Sequence, residues 1–395
     1  MTVAHIIGIF SPEHGGPVVS LRNYVRGQTA GGLSVRIRTV EGYPDAGPAI
    51  RLPAPIDQKI FPLGWPTKLG RSPEMAAFLR NEGDADIYHL HGAWLRAMYY
   101  GFVEARRRGR PFLVEVNGSY QPFDLRRKSW RKHLVRMWFQ DRMFQEAACL
   151  HVNSVKEAND LRDMGFEAPM VVIPAGFDFE EIDMRLSSLP GGLWPELANQ
   201  PFFLYLARIH PSKGIGLLLD AWKELEAKHK ETVLVIVGSG EPSHVAGFRE
   251  QARRLGIEHR CVWKGFVSED EKIWAYARAN FYCLPSYTEN FGNTVQEALG
   301  IGTAVLTTTG TPWTNLGDEG CGWVADCEPS SITASLERAL RTPLPVLRDM
   351  GRTGRTYIQR AFSLDSVIGK QIATYRWLLG GAAPTEILFA GRPKK

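Results

Sequence analysis

Short runs of consecutive apolar residues alternate with amphipathic stretches along almost the whole chain. Such runs occupy residues 3–10, 35–40, 86–90, 112–116, 149–153 and 170–173 in the first half, and 202–207, 233–237, 262–267, 280–284 and 304–307 in the second. Apolar runs of this length that do not alternate suit strands covered on both faces, as in parallel sheets. Between them the apolar residues recur at helical spacing, over 18–30, 215–228 and 269–278. From about 330 onward the pattern is mostly helical, and the last strong amphipathic run is 365–379. Alternating strand and helix predicts α/β domains with doubly wound parallel sheets. A chain of 395 residues is long enough for two of them.

The punctuation between elements places the boundaries. Residues 41–72, rich in Pro and Gly, read as one long irregular connection. Residues 179–200, with Pro190, Gly191, Gly192 and Pro195, read as an interdomain linker. The expected organisation is an N-terminal domain over 1–180, a C-terminal domain over 181–364, a helix over 365–379 and a mobile tail over 380–395.

Composition changes this picture little. A hydrophobic share of 44% and a charged share of 23% are those of a globular, enzyme-sized protein. A net charge of +5 is too mild to argue for nucleic acid, and no nucleic acid partner is expected. The five cysteines form no C-x-x-C pair, which favours neither a zinc site nor a disulfide scaffold and fits a reducing, cytoplasmic compartment. The apolar strand at the start lacks a basic n-region and a cleavage signal, and no uncharged apolar run reaches bilayer length.

Charge is uneven, however. Residues 101–140 carry ten Lys/Arg against Glu104, Glu115 and Asp124. A helix expected over 128–147, with Arg126 and Arg127 just ahead of it, interleaves Lys128, Arg131, Lys132 and Arg136 with Trp130, Leu134, Met137, Trp138 and Phe144 at helical spacing. Such a face suits an anionic membrane surface, here through residues 126–138; the plainer reading is a solvated basic face.

The densest candidate chemistry lies in LPSYTENFGNTVQEALGIGTAV, residues 284–305. Glu289 and Glu297 stand eight residues apart, one just ahead of a helix and one inside it. Asn290, Phe291, Gly292 and Asn293 lie between them, where free backbone N–H groups collect at a helix start and glycine allows close approach. Carboxylates beside anion-seeking amides suit a ligand with hydroxyls at one end and phosphate at the other, such as a nucleotide sugar. In a second loop, Arg208 and Lys213 flank a Pro turn between a strand and a helix, and each could donate to a diphosphate in bonds worth about 1.5–3 kcal/mol. Gly15-Gly16 after the first strand lacks the G-x-G-x-x-G spacing, as does Gly238-Ser-Gly240. His89 and His91 close a strand whose carboxyl end is where α/β sheets bind ligands; His89 reads as a packing residue and His91, beside Gly92, as a site residue.

Taken together, the chain resembles the family 4 retaining glycosyltransferases of the GT-B fold. The residues that carry the resemblance are Gly15-Gly16, HLHG at 89–92, PAGFD at 174–178, ARIHPSKG at 207–214, VGSGE at 237–241, GFV at 265–267 and ENFGNTVQE at 289–297. They cover nearly the whole chain, in the family's order. The resemblance implies two Rossmann-like doubly wound parallel-sheet domains facing a central cleft, the N-terminal one for the acceptor and the C-terminal one for the donor. The 365–379 helix would cross back to the N-terminal domain. Arg208 and Lys213 would hold the donor diphosphate, and Glu297 the ribose. Phe266 and Val267 would flank the base. Glu289 would face the transferred sugar, the amides of Phe291, Gly292 and Asn293 would meet phosphate and sugar, and Gly16 would lie near the diphosphate. The implied activity is retaining, metal-independent hexosyl transfer from a UDP-, GDP- or ADP-sugar to a hydroxyl of a glycan or lipid-linked glycan, in bacterial polysaccharide or glycoconjugate biosynthesis. The donor is a substrate, and no cofactor is implied. The place of work would be the cytoplasm or the inner face of the cell membrane.

One departure matters. Asn117 stands at a strand end where the family usually has a histidine. Asparagine cannot carry charge or shuttle a proton. Either the histidine is dispensable here, or another group serves, with His91 the candidate, or transfer is impaired. The alternative function is therefore a nucleotide-sugar-binding protein with little transferase activity. A Rossmann oxidoreductase or epimerase is disfavoured by the glycine spacing and by the lack of a Tyr-x-x-x-Lys pair.

Overall fold

The computed structural model describes residues 1–120 and 133–391. The chain divides into two compact units, one formed by Met1–Gly176 with Leu364–Lys395 and the other by Phe177–Ser363.

The first unit is built on seven parallel strands: β1 (Thr2–Ile7), β2 (Ser34–Glu41), β3 (Asp57–Pro62), β4 (Ile87–His91), β5 (Phe112–Glu115), β6 (Cys149–Val152) and β7 (Met170–Val172). Their order is β3-β2-β1-β4-β5-β6-β7. Strands β1, β4, β5 and β6 are buried along nearly their full length, and among their apolar residues they carry the buried polar side chains His5, His89, His91, Glu115 and His151. The helices are α1 (Gly16–Ala30), α2 (Pro73–Glu82), α3 (Arg96–Arg107), α4 (Asp141–Glu146) and α5 (Val155–Asp163). One core, with Met75, Met98, Phe102, Phe144 and Leu161, joins α2–α5 to one face of the sheet. A second, with Leu21, Tyr24, Val25, Val367 and Tyr375, covers the opposite face.

The second unit repeats the plan with β8 (Phe202–Leu206), β9 (Val233–Val237), β10 (Cys261–Gly265), β11 (Tyr282–Leu284), β12 (Val305–Thr308) and β13 (Gly322–Ala325), ordered β10-β9-β8-β11-β12-β13 and all parallel. Its helices are α6 (Phe179–Ser187), α7 (Ile215–Leu225), α8 (Pro242–Arg254), α9 (Glu269–Arg278), α10 (Asn293–Ile301), α11 (Pro329–Arg341) and α12 (Leu344–Phe362). Helix α7 packs on α11, while α9 and α12 pack on α10. The last helix, α13 (Leu364–Leu378), belongs to the first unit. It packs on α1 so closely that a Cβ on Gly27 would lie 2.6 Å from Ile368.

Both sheets therefore reverse their strand order once, between β1 and β4 in the first unit and between β8 and β11 in the second. Ligands of open α/β sheets bind beyond the carboxyl ends of the strands at such a reversal.

Four expectations need correction. The 41–72 connection contains β3, a half-exposed edge strand that ends in proline, which hides it in the apolar pattern. The supposed linker at 179–200 is a packed part of the second unit: Asp178 caps α6, and Trp194 and Leu197 are buried. The tail is not loose after Gly380, since Val172 donates to Ile387 O (2.8 Å) and Phe389 to Met170 O (2.9 Å), docking the segment on β7. Strand β13, GWVA, is a further element the apolar pattern did not reveal. Of the basic helix, residues 121–132, including Arg126, Arg127, Lys128, Trp130, Arg131 and Lys132, lie outside the described residues. Its remainder is helical, passing through a π turn at Arg136–Gln140 into α4, with Leu134, Met137 and Trp138 exposed.

Candidate active site

In the second unit the candidate residues gather at the carboxyl edge of the sheet, around the β8/β11 reversal. The loop after β8 carries Arg208, which is exposed, and closes in a 3-10 turn at Pro211–Lys213. The loop after β11 carries Glu289. The two loops are tied: Tyr287 N–H donates to Ser212 O at 2.9 Å, and Ser286 Oγ to the same carbonyl at 3.0 Å. Gly214 makes this possible, with φ 70° and a Cβ position only 1.8 Å from Pro285 O. Lys213 Nζ consequently reaches Glu289 Oε1 at 2.6 Å, both side chains being largely shielded.

Helix α10 begins directly after this loop. Gly292, at φ 83°, stands at the N-cap position and has no side chain to cap the first turn. Its free N–H groups, beginning at Asn293, make an anion-receptive end. Asn290 is half-buried and Phe291 buried, the carbonyl of Phe291 accepting from Trp313 Nε1 at 2.5 Å. About one turn into α10, Glu297 accepts from Lys272 Nζ at 3.1 Å and from Tyr276 OH at 3.2 Å. Burial alone would depress the Lys272 ammonium, but the Glu297 and Glu269 carboxylates outweigh it and raise the pKa. Phe266, after β10, is 72% exposed, and Val267 is half-buried.

Lys272 and Tyr276 escaped the sequence reading. The signal for them is the i, i+3, i+7 spacing of Glu269, Lys272 and Tyr276 on α9, which aligns them on one helix face.

In the first unit Gly16 opens α1, whose N-terminus also lacks a side-chain cap. His91 ends β4, but its ring is buried and both nitrogens are engaged, Nε2 with His5 Nδ1 at 2.8 Å and Nδ1 with Glu115 Oε2 at 2.5 Å. It is thus not exposed to a molecule bound at the sheet edge. Asn117 follows β5 at φ 52°, a left-handed conformation asparagine tolerates, and its Oδ1 accepts from Asn153 Nδ2 at 3.1 Å.

Beneath this edge lie His5, His89 and His91, and beside them His89, Glu115 and His151, two groups whose potential ligand atoms are within 4.8 Å of one another. Each imidazole nitrogen in them already faces a protein partner. A metal would have to displace those bonds. Burial holds all four histidines below their ordinary pKa, His91 down to about 3, and pushes Glu115 up.

Residues 194–357 match the family described as Glycosyl transferases group 1, and residues 15–176 match the Glycosyl transferase 4-like domain. An MMP alpha-(1->4)-mannosyltransferase of Mycolicibacterium hassiacum is 26% identical over 310 residues, 74% of this chain and 71% of that protein. Across three such curated relatives the match covers 45% to 71% of their own length. The fold is that of sucrose-phosphate synthase from Thermosynechococcus elongatus, with a TM-score of 0.75, 19% identity, and coverage of 97% of this chain and 100% of that one. HepE from Anabaena, solved with UDP and glucose, is as similar in fold, with a TM-score of 0.75, 16% identity, and coverage of 95% and 100%. Among the described residues, no helix is long and apolar enough to cross a membrane.

Proposed function

The chain belongs to the group 1, family-4-type glycosyltransferases of the GT-B fold, and from that premise we propose that it moves a sugar, with retention, from a nucleotide-sugar donor to a hydroxyl of a glycan or lipid-linked acceptor. The observation that carries this reading is the convergence of Arg208, Lys213, Glu289 and the uncapped start of α10 at one sheet reversal. The second unit is then the donor domain and the first the acceptor domain.

In this reading Glu297 accepts the ribose hydroxyls, oriented by its bonds from Lys272 and Tyr276. Phe266 and Val267 flank the base. The diphosphate meets Arg208, Lys213 and the amides of Phe291, Gly292 and Asn293, with Asn290 at the rim. Lys213 exchanges its pairing with Glu289 for the phosphate, which frees Glu289 to accept from hydroxyls of the transferred sugar. The anomeric bond breaks toward an oxocarbenium-like state, and the departing diphosphate gains the charge these cations neutralise. Aimed stabilisation of this kind is worth about 2.7–4 kcal/mol per donor group. Two fixed cations take the part a divalent ion plays elsewhere, so the reaction needs no metal. The acceptor hydroxyl attacks from the face the diphosphate leaves and passes its proton to a phosphate oxygen. His91 and Asn117 mark the acceptor side, His91 acting from behind the surface.

The donor class rests on the nucleotide shared by such neighbours as HepE, whose structure holds UDP; UDP-, GDP- and ADP-sugars all suit the site. The test of retention is the anomeric configuration of the first product formed, read by proton NMR before mutarotation. A retained configuration supports the mechanism and an inverted one sinks it.

A second reading, nucleotide-sugar binding with little transfer, is favoured by Asn117, whose carbonyl is already taken by Asn153. Donor binding without turnover on any acceptor would select it. The protein works in the cytoplasm and touches the inner face of the membrane through residues 126–138. Exposed Leu134, Met137 and Trp138, with Arg96 over the Trp138 ring at 4.8 Å, support this contact. Liposome binding indifferent to anionic lipid and to salt would remove the membrane from the account.

A further inference from the structure

The four buried histidines of the first unit are linked end to end by hydrogen bonds whose direction can be worked out. The face of the sheet toward α1 and α13 brings them together: His5 pairs with His89 across β1 and β4, and His91, Glu115 and His151 stand in register across β4, β5 and β6. One end is fixed. Ile173 O can only accept, so His151 Nε2 donates to it, at 2.6 Å. A neutral His151 then accepts at Nδ1 from His89 Nε2, at 3.4 Å. His89 Nδ1 accepts in turn from Tyr375 OH at 2.8 Å, and the Tyr375 oxygen accepts from Gln28 Nε2 at 3.0 Å. Gln28 Oε1 accepts from His5 Nε2 at 2.8 Å, which leaves His5 Nδ1 to accept from His91 Nε2. His91 Nδ1 is left as an acceptor, and its partner, at 2.5 Å, is Glu115 Oε2.

We infer that Glu115 is held as a neutral carboxylic acid whose O–H donates to His91 Nδ1, which makes it the positioning residue that closes the chain from β5 to the Ile173 carbonyl. The inference does not depend on the transfer reading above. Two further observations support it. Glu115 is buried, and apart from His91 the only side chain that bonds it is the neutral amide of Asn117, its Oε1 having no partner of good geometry among the described residues. A carboxylate oxygen left so would cost far more than the carbonyl of a neutral acid. Among the described residues, the groups named as acting on Glu115 include no lysine or arginine. They are His91 on β4, His151 on β6, Asn117 beyond β5, Tyr24 on α1 and Tyr375 on α13; burial outweighs the opposite pull of His151 and Asn117. The reverse polarity, an ionised Glu115 accepting from His91, requires either a doubly protonated ring in the chain or two ring lone pairs facing each other at His151 and His89.

What the proton holds in place is the end of two strands. Gly92 N–H donates to Glu115 O at 2.8 Å, and Asn117 lies two residues on, so the β4 and β5 termini at the sheet reversal are backed by fixed neutral dipoles rather than by charge.

The test is an infrared difference spectrum of the full chain near neutral pH, in H2O and D2O, for the wild type and Glu115→Gln. The expected result is a protonated-carboxyl C=O band that shifts with deuterium and is missing from the variant. Loss of carboxylate bands instead would overturn the inference. Nitrogen-15 NMR of the wild-type imidazoles provides a check that needs no variant: four neutral rings are expected, and a doubly protonated His91 would contradict the proposal. Glutamine can also donate to His91 Nδ1 and leucine cannot. Glu115→Gln should therefore melt close to wild type and Glu115→Leu several degrees lower; equal losses in both would overturn the donor role.

Discussion

Lys272 bridges Glu297 and Glu269, at 3.1 and 2.9 Å, from the next helix along. A carboxylate fixed in this way presents its remaining lone pairs in one direction, which is what a pair of ribose hydroxyls requires. Glu297→Ala is expected to raise the KM for the donor by tenfold or more, from about 1.5–3 kcal/mol of lost charge-assisted bonding. Lys272→Met should give a smaller rise in KM with kcat nearly kept, since it disorients Glu297 without touching the leaving group. Steady-state kinetics separates the two. Arg208 is different: exposed and free of any salt bridge among the described residues, it is available for charge that develops in the transition state. Arg208→Ala should therefore lower kcat by about 10²–10³-fold. An effect confined to KM would assign it to ground-state binding.

At the scale of elements, the site depends on how closely two loops approach. Gly214→Ala places a Cβ against Pro285 O and removes the left-handed freedom the turn uses. Lys213 and the Tyr287–Ser212 bond must then move together. The expected result is weakened donor binding with a lower melting temperature for the second unit, measured by donor-induced thermal shift. Unchanged binding would show that the loops adapt. The same scale explains what the chain's pattern disclosed. Strands β8 and β9 are continuous apolar runs because helices cover both faces, and they read as strands directly. DQKIFP of β3 alternates with charge and ends in proline because it lies on an edge. Residues 179–200 looked like linker because Pro and Gly dominate, yet Trp194 anchors them through Glu271, at 2.9 Å. Arg208 with Lys213, and Glu289 with Glu297, were legible as candidates because each pair lies within one short stretch of loop and helix start; that the two stretches belong together, 76 residues apart, followed only from the family resemblance. The histidine network was not legible. His89 and His91 share a face by strand alternation, but His5, Glu115 and His151 reach them only through strand pairing across 24 to 86 residues.

At the scale of the whole molecule, the two units carry different titrating groups. The first buries four neutral histidines, whereas none of the second unit's histidines is buried. A folded pKa depressed below the ordinary value means that the unfolded chain binds more protons, so the stabilisation is present above about pH 6.5 and fades as pH falls. For His91, held near 3, the loss by pH 5 is about 2 kcal/mol. Glu115, raised, acts in the opposite direction, but it is one carboxyl against four imidazoles. Scanning calorimetry should show the transition of the first unit moving down between pH 7 and pH 5 by more than that of the second, where His229 is also held below its ordinary pKa by burial and by Arg341. A pH-independent first transition would contradict the neutral network.

The account as a whole stands on the donor site. Its most direct test is a thermal-shift panel of UDP-, GDP-, ADP- and dTDP-linked sugars on the wild type, Glu297→Ala and Arg208→Ala. The account predicts that at least one nucleotide sugar stabilises the wild type and that the stabilisation shrinks markedly in Glu297→Ala. No shift with any donor, or an equal shift in both variants, would contradict it.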